Sequence, residues 1–202
     1  WSDDPTSIHA SASIGPDLRG ETCLEAGGLT IVPGLIDLHT HGIARESAVG
    51  SLAQMARREA QAGATLFFPT LFGPPEETCR HLRRHLEETD SLRLTPQVGG
   101  FRLESPYLAD PSAGLPQDCA PVSDALTGRL LEAGQGHIRI WDLSPELPGA
   151  AETIARLSRL GIACSLAHTT ATIEQARAAV DAGARLVTHL FDTFAMPPMT
   201  DL

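Results

Sequence analysis

The chain has 202 residues, which is enough for one domain with a full hydrophobic core or for part of a larger domain. Its 42% hydrophobic content is typical of soluble globular proteins, and no apolar run approaches the roughly 20 residues that a membrane span needs. A formal charge of -10, without basic patches, argues against nucleic acid as a partner. Four widely spaced cysteines and the lack of a signal-peptide segment predict a reducing, cytoplasmic setting.

Residues 1–32 contain several prolines and glycines among short polar and apolar pieces, which predicts turns and short strands without a core of their own. From residue 33 onward, strand-like and helix-like segments alternate along the chain. The predicted strands cover residues 31–42, 64–71, 97–104, 137–143, 162–168 and 185–190. The predicted helices cover residues 47–62, 75–88, 124–133, 150–160 and 172–182. This alternation predicts a parallel sheet with helices outside it, either doubly wound or closed into a barrel.

The first predicted strand is an apolar run, expected to be buried, that ends in His39 and His41. Residues two apart on a strand share a face, so both imidazoles point to the same side. Two nitrogen ligands of one divalent ion need that arrangement, although a hydrogen-bonded histidine pair would also produce it. Asp37, two residues earlier, is predicted to support the end of the strand as a hydrogen-bond partner.

Glu104 closes the third predicted strand, which is otherwise largely apolar. A carboxylate in that position is costly unless it is paired or bound to a metal, so Glu104 needs a cation. The alternative to a metal is a salt bridge to Arg102 or to another arginine. The pair Gly99 and Gly100 in the same strand predicts close backbone packing.

His168 and His189 end the fifth and sixth predicted strands, although each alone is more typical of a core or loop histidine. Doubly wound sheets usually carry a glycine-rich phosphate turn after the first strand, and this sequence has none. In a barrel, functional groups from several strand ends meet at one face. The candidate residues therefore favour a barrel, and four imidazoles with one carboxylate suit one or two borderline ions such as zinc, or manganese or iron.

Three further residues receive a structural interpretation. His81 and His85 lie one helical turn apart among arginines and glutamates, so a solvated helix face is predicted for them in preference to a metal site. Trp141, on the fourth predicted strand, is expected to pack in the core.

Several stretches resemble those of known enzymes. The run from Pro33 to Gly42, Pro-Gly-Leu-Ile-Asp-Leu-His-Thr-His-Gly, resembles the first barrel strand of the amidohydrolase superfamily. Leu-Glu-Ser-Pro-Tyr at residues 103–107, the segment that begins Ala-His-Thr-Thr at residue 167, and Thr-His-Leu-Phe-Asp at residues 188–192 resemble the motifs of N-acetylglucosamine-6-phosphate deacetylases. The motifs occur in the order of that family and extend from about residue 28 to about residue 198.

The resemblance implies an α/β fold, a TIM-like (β/α)8 barrel of a metal-dependent hydrolase, with about six of its β/α units in this chain. Residues 1–32 would then be the N-terminal portion of a small β-sandwich domain, and residues 33–202 a partial amidohydrolase barrel. A six-strand arc of a barrel leaves two sheet edges open, so we expect the chain to form a homo-oligomer, most simply a dimer.

The resemblance also implies the site and its chemistry. The metal ligands would be His39, His41, Glu104, His168 and His189, and because the sequence has no lysine, any bridge between two ions must be a carboxylate. The activity would be hydrolysis of an amide C–N bond by a metal-activated water, in an N-acetyl amino sugar such as N-acetylglucosamine 6-phosphate. Asp192 and Thr193 stand at positions that contact the sugar in this family.

The catalytic aspartate of the family lies at the end of the eighth barrel strand, so we expect it beyond Leu202, and no residue of this chain is assigned that role. Two alternatives remain open. The protein could be another amidohydrolase, acting on N-acyl amino acids or cyclic amides, because Asp192 would repel a phosphosugar. It could also be a truncated, non-catalytic barrel fragment that binds metal.

Overall fold

The structure is a computed structural model, which describes residues 27–30, 32–43, 46–92, 97–112 and 114–191; for residues 46 and 90–92 it describes the backbone alone. The contacts divide the chain into Trp1–Pro33 and Gly34–Leu202, and the elements of the fold belong to the second unit. The predicted β-sandwich portion, residues 1–32, falls almost wholly outside the described residues and stays a prediction. None of the described helices has the length and apolar character required to cross a bilayer.

The described residues form eight strands and five α-helices. The strands are β1 (Leu35–Thr40), β2 (Gly42–Ile43), β3 (Glu46–Ser47), β4 (Ala64–Leu71), β5 (Phe101–Leu103), β6 (Ile138–Leu143), β7 (Ala163–Leu166) and β8 (Leu186–Val187). The helices are α1 (Leu52–Gln61), α2 (Pro75–Leu92), α3 (Asp124–Gly134), α4 (Ala150–Arg159) and α5 (Ile173–Ala182). All six predicted strands and all five predicted helices are therefore present, most of them shorter than predicted.

Six strands form one parallel sheet in the order β1-β4-β5-β6-β7-β8, which is also their order along the chain. A doubly wound sheet reverses its strand order at a switch point, whereas a barrel adds each new strand on the same side. One helix follows each of the first five sheet strands, as β-α alternation requires. The topology confirms the barrel alternative over the doubly wound one.

The first helix begins later than predicted. The sequence pattern placed its start at residue 47, but Glu46–Ser47 pairs with Gly42–Ile43 as a short antiparallel ribbon, and α1 begins at Leu52. Ser51 is the N-cap, and its hydroxyl accepts a hydrogen bond from the backbone N–H of Gln54. A cap satisfies an N–H group that the helix itself leaves without a partner, so it fixes where the helix can start.

The N-terminus of α1 is also capped from α2. The carboxylate of Glu88 accepts hydrogen bonds from the Ser51 hydroxyl at 3.0 Å and from the backbone N–H groups of Leu52 at 3.1 Å and Ala53 at 2.9 Å. An anion at this position also interacts favourably with the helix dipole. Burial alone would raise the pKa of Glu88, but these hydrogen bonds outweigh burial and lower it.

The predicted solvated face at His81 and His85 is wrong for His85, which is completely buried. Its Nε2 lies 2.5 Å from the carbonyl oxygen of Ala48, and its ring stacks on Phe101 at 5.9 Å between centroids. Burial lowers the pKa of His85, which favours the neutral ring. The error arose because α2 packs on two sides, against α1 and α3, so a face with charged neighbours in sequence is covered.

The first strand was predicted to be buried, and this prediction is wrong for its apolar side chains. Leu35 is 64% exposed, Ile36 60% and Leu38 43%. The reason is the position of β1 at one end of the sheet, where no other strand of the described part of the chain pairs with its outer edge. Its histidine-bearing end is nevertheless held by hydrogen bonds to Thr70 and Arg102.

The hydrophobic core lies between the sheet and the helices, and its largest fully buried side chains include Trp141, Tyr107 and Phe67. Trp141 stacks on Tyr107 at 5.7 Å with the rings parallel, which confirms its predicted packing role. The glycine pair before β5 is also explained. A Cβ on Gly100 would lie 2.7 Å from the carbonyl oxygen of His137, and Gly100 has φ +130.

Candidate metal centre

The candidate residues lie at the carboxyl ends of the sheet strands. His39 is the second-last residue of β1, His41 directly follows that strand, and Glu104 directly follows β5. His168 and His189 each stand two residues beyond the end of a strand, β7 and β8 respectively. Because parallel strands point the same way, these ends share one rim of the sheet, where a barrel carries its functional groups.

The structure brings all five side chains together around the Glu104 carboxylate. The Nε2 atoms of the four imidazoles face its two oxygens: His41 at 2.6 Å and His39 at 3.4 Å from Oε2, His168 at 3.0 Å and His189 at 3.1 Å from Oε1. No single strand could supply such a set, so the site depends on the parallel arrangement of four strands.

The cluster shows directly that the sheet is curled. Strands β1 and β8 stand at opposite ends of a six-stranded order, which in a flat sheet would separate them by about 24 Å at about 4.8 Å per strand. Instead, the rings of His39 and His189 meet with their centroids 5.0 Å apart. The two ends of the sheet therefore face each other across a barrel mouth, as the sequence predicted.

Glu104 is 2% exposed, and the proposed alternative of a salt bridge to Arg102 is wrong. The guanidinium of Arg102 instead forms a two-pronged ion pair with Asp142, from Nε at 2.9 Å and from Nη2 at 2.7 Å. Burial alone would raise the pKa of Glu104, but hydrogen bonds from the surrounding imidazoles, above all that of His168, hold it well below its ordinary value. The carboxylate is thus ionised.

His41 shows what the cluster requires. Its Nδ1 lies 3.2 Å from the carbonyl oxygen of Thr70, which can only accept, so Nδ1 carries the proton. In the neutral ring, Nε2 then presents a lone pair to the Glu104 carboxylate at 2.6 Å and to His39 Nε2 at 3.2 Å. Lone pairs and a carboxylate do not attract one another, so this contact needs a cation, either a proton or a metal ion.

The backbone at two of the histidines is in the left-handed region, with φ 47 at His168 and φ 55 at His189. Non-glycine residues in this conformation are uncommon and cluster at functional sites. The turn at His168 is held by Ser144, whose hydroxyl lies 2.8 Å from the carbonyl oxygen of Ala167 and 2.9 Å from that of His168. The same hydroxyl accepts the backbone N–H of Ala109 at 2.8 Å.

Glu146 holds the loop that follows His168. Its carboxylate accepts a hydrogen bond from the Thr169 hydroxyl and one from the backbone N–H of Thr170 at 2.8 Å. At the other end of the cluster, Asp37 accepts the backbone N–H of His39 at 2.9 Å, which agrees with its predicted supporting role. The rings of His39 and His168 are therefore positioned through the backbone of the residues that carry them.

The donor set fits a divalent ion. Ligand atoms of His39, Glu104 and His189 all lie within 4.8 Å of one another, which allows all three to reach one ion. Imidazole nitrogen and carboxylate oxygen are the donors that zinc and neighbouring transition metals accept. The predicted contacts of Asp192 and Thr193 lie outside the described residues.

Sequence reasoning missed the buried polar residues beneath the cluster. Asp142 is fully buried in β6, and Thr188, next to His189, is 4% exposed. The Thr188 hydroxyl donates to Asp142 at 2.8 Å and lies 2.6 Å from the hydroxyl of Ser165. A signal was available, since Asp142 is a carboxylate within an apolar strand, the same feature that singled out Glu104.

Comparisons with known proteins agree with this geometry, although no protein-family model matches the chain. The chain is 32% identical over 179 residues to N-acetylglucosamine-6-phosphate deacetylase of Bos taurus, an alignment that covers 83% of the chain and 44% of the bovine protein. It is 30% identical over 169 residues to N-acetylgalactosamine-6-phosphate deacetylase of Escherichia coli O157:H7, covering 80% of the chain and 45% of that protein.

A solved structure is similar too: N-acetyl-D-glucosamine-6-phosphate deacetylase of Mycobacterium smegmatis, a variant in complex with N-acetyl-D-glucosamine-6-phosphate. The TM-score is 0.73 at 31% identity, with 84% of this chain and 45% of that chain covered. This chain thus spans a little less than half the length of the proteins it matches. Over the part that it covers, the chain resembles an N-acetylglucosamine-6-phosphate deacetylase in sequence and in fold.

Proposed function

We propose that the protein carrying this chain is a metal-dependent amidohydrolase that removes the acetyl group from an N-acetylhexosamine 6-phosphate, most simply N-acetylglucosamine 6-phosphate. The single observation that carries the proposal is the convergence of four imidazoles on the buried Glu104 carboxylate. The similarity to deacetylases supports the reaction class. Because the chain spans less than half of those proteins, the activity of the whole protein is part of the proposal.

The metal ligands in this proposal are His39, His41, Glu104, His168 and His189. Four imidazoles and one carboxylate favour zinc, with manganese or iron as the alternatives, in one or two ions. A divalent ion held there would supply Lewis-acid activation of a water molecule and of the amide carbonyl. Glu104 lies at the centre of the donor set, so it is the residue best placed to join two ions if two are bound.

The residues of this chain prepare the site for that chemistry. The Thr70 carbonyl selects the His41 tautomer whose Nε2 faces the centre. The lowered pKa of Glu104 favours the carboxylate anion at the centre of the site. Asp192 and Thr193 are proposed to contact the sugar, and no residue of this chain is assigned the proton-transferring role.

The proposal is tested by incubating the purified, zinc-loaded whole protein that carries this chain with N-acetylglucosamine 6-phosphate and measuring the release of acetate. N-acetylgalactosamine 6-phosphate is the second substrate to test, because relatives named for each sugar match this chain about equally well. We expect acetate release that is lost in Glu104→Gln. Zinc binding without acetate release from either sugar would reject the substrate and leave another amidohydrolase or a non-catalytic barrel fragment.

We also propose a homodimer in a reducing, cytoplasmic setting. The exposed side chains of Leu35 and Ile36 on β1 support association, because no strand of the described residues pairs with the outer edge of β1 and an open edge is a template for pairing. Cys79, Cys119 and Cys164 are free thiols, which supports the reducing setting. Sedimentation of the purified protein tests the oligomeric state, and a monomer at all concentrations would contradict the dimer.

A further inference from the structure

We infer that Arg102 is a positioning residue of the candidate metal centre: its buried guanidinium fixes the two outer strands that carry ligands, β1 and β8, around Glu104. The inference rests on the proposed metal-binding function. Arg102 is 4% exposed, and its guanidinium reaches two other strands and the residue that follows a third. It pairs with Asp142 in β6, donates from Nη1 to the Leu38 carbonyl oxygen in β1 at 2.9 Å, and donates from Nη2 to the Thr188 hydroxyl beyond β8.

The contact with β1 lies where the sheet pairing is irregular. The parallel pairing of β1 with β4 is irregular between Asp37 and Thr40, the stretch that contains Leu38 and His39. There the His39 N–H turns to the Asp37 carboxylate, and the Leu38 carbonyl accepts from Arg102. Side chains therefore hold both polar groups of the peptide bond between Leu38 and His39: Asp37 holds its N–H, and Arg102 holds its carbonyl oxygen.

The contact beyond β8 also supports a place where the sheet pairing is weak. Only Leu186 and Val187 pair with β7, so the ladder is short where the chain leaves the sheet toward His189. Thr188 extends the ladder by one hydrogen bond, from its N–H to the Leu166 carbonyl oxygen at 2.9 Å. Its hydroxyl accepts a hydrogen bond from the Arg102 guanidinium and donates one to Asp142. The residue directly before a candidate ligand is again tied to the same guanidinium.

The two ligand-bearing ends thus share one support, while His168 has another. The carbonyl of His168 is held by Ser144, which makes no hydrogen bond with Arg102 among the described residues. Asp142 neutralises the guanidinium, so the buried pair brings no net charge to the neighbourhood of the proposed metal ligands. The arrangement predicts that loss of Arg102 moves His39 and His189 and leaves His168 in place.

The main test uses the double variant Arg102→Met/Asp142→Leu, which removes both charges together, because a buried ion pair replaced by apolar residues of similar volume often keeps or improves stability. Zinc affinity is measured by competition with a chromophoric chelator, and the histidine side chains of the metal-free protein are followed by nitrogen-15 NMR. We expect zinc affinity to fall by about 10- to 100-fold, the usual effect of removing a residue that orients a ligand. In the NMR spectra, the signals of His39 and His189 should shift by more than those of His168, which loses only the nearby charge of Asp142.

A milder pair of variants tests one arm of the support. Thr188→Val keeps the shape but removes the hydroxyl, and Thr188→Ser restores it. We expect Thr188→Val to weaken zinc binding and shift His189 alone, with rescue by Thr188→Ser. The control Arg129→Met/Glu76→Leu removes an exposed arginine-carboxylate pair between α2 and α3 and should leave zinc affinity and all imidazole signals unchanged.

The results separate the two proposals. A folded Arg102→Met/Asp142→Leu protein that binds zinc within twofold of the parent, with unchanged His39 and His189 signals, would overturn the positioning role and leave the metal centre intact. Failure of the parent protein to bind zinc would instead overturn the metal centre, and the imidazole signals of the metal-free variants would still decide whether Arg102 positions the two strands.

Discussion

His39 and His189 approach each other to 5.0 Å between ring centroids although they belong to the first and last strands of a six-stranded sheet. Their meeting point is the carboxylate of Glu104, the only anion among the described side chains at the centre of the cluster. A site of this kind depends at once on the curl of the sheet and on one buried charge.

Replacing Glu104 with glutamine should abolish tight metal binding with little change of shape. The amide has no charge to hold a divalent ion, so we expect zinc affinity to fall by more than the about 100-fold upper range seen when an orienting residue is lost. Isothermal titration of the metal-free protein with zinc measures this loss. Glu88→Gln is the matched control, since it neutralises a partly buried carboxylate outside the cluster, and an equal loss in both variants would contradict the assignment.

Replacing Glu88 with glutamine should destabilise the fold by about 1 kcal/mol, the typical value of a helix cap. The folded-state pKa of Glu88 is lowered, so its charge contributes stability above the ordinary carboxyl pKa, and this contribution disappears as the pH falls through the folded-state value. Urea unfolding of the parent and the variant should therefore differ most near neutral pH. A difference that grows in acid would have the wrong sign.

The stability of the metal-free and zinc-loaded proteins should depend on pH in opposite directions. Burial lowers the pKa of His41 and His168, but the hydrogen bond and charge of Glu104 raise it more, so both values lie above the ordinary value. Without metal, the stability from these imidazoliums is complete below about pH 6.5 and is lost as the pH rises through the raised values. Zinc requires neutral imidazoles, so its binding should strengthen over the same rise and release protons.

Urea unfolding with a chelator or with excess zinc, over a series of pH values, measures both trends. Proton release on zinc binding is checked by titration in two buffers of different ionisation enthalpy. Parallel pH profiles for the two forms would show that the imidazoles do not exchange protons for the metal.

Replacing Gly100 with alanine should cost about 3 kcal/mol, because the new Cβ would lie 2.3 Å from Cγ of Arg139 and 2.7 Å from the His137 carbonyl, at a φ of +130 that disfavours side chains. Gly128 is the matched control. It lies within α3 with no atom near its missing Cβ, so Gly128→Ala should stabilise the protein by about 1 kcal/mol. Denaturant midpoints measure both, and a neutral Gly100→Ala would contradict the close packing.

The sequence was sufficient to predict that the candidate site residues lie close together, because each of them stands where an apolar run ends. His39 and Glu104 each terminate a strand, and strand ends of a parallel sheet share a rim, so their proximity follows from periodicity and topology. The resemblance to deacetylases added the order of the motifs. What the pattern could not supply was the partner of each charge: the alternative salt bridge from Glu104 to Arg102 is wrong, because the partner of Arg102 is Asp142.

The errors in burial have a common physical origin in packing between distant elements. His85 was assigned to solvent from its charged neighbours along the helix, but Ala48 and Phe101, far away in sequence, cover it. Leu35 was assigned to the core from its apolar neighbours, yet β1 lies at the end of the sheet. The local sequence pattern indicates the polarity of a segment, but the burial of that segment depends on which distant segments pack against it.

The separation of His39 from His189 along the chain has a consequence for how the protein reaches its native state. Contacts between such distant residues form late, because a long loop must close before they gain any free energy. An ion that requires both rings cannot bind tightly to a partly assembled sheet. Zinc capture in a refolding experiment would therefore report the arrival of the last strand, and added zinc would slow unfolding far more than it would speed folding.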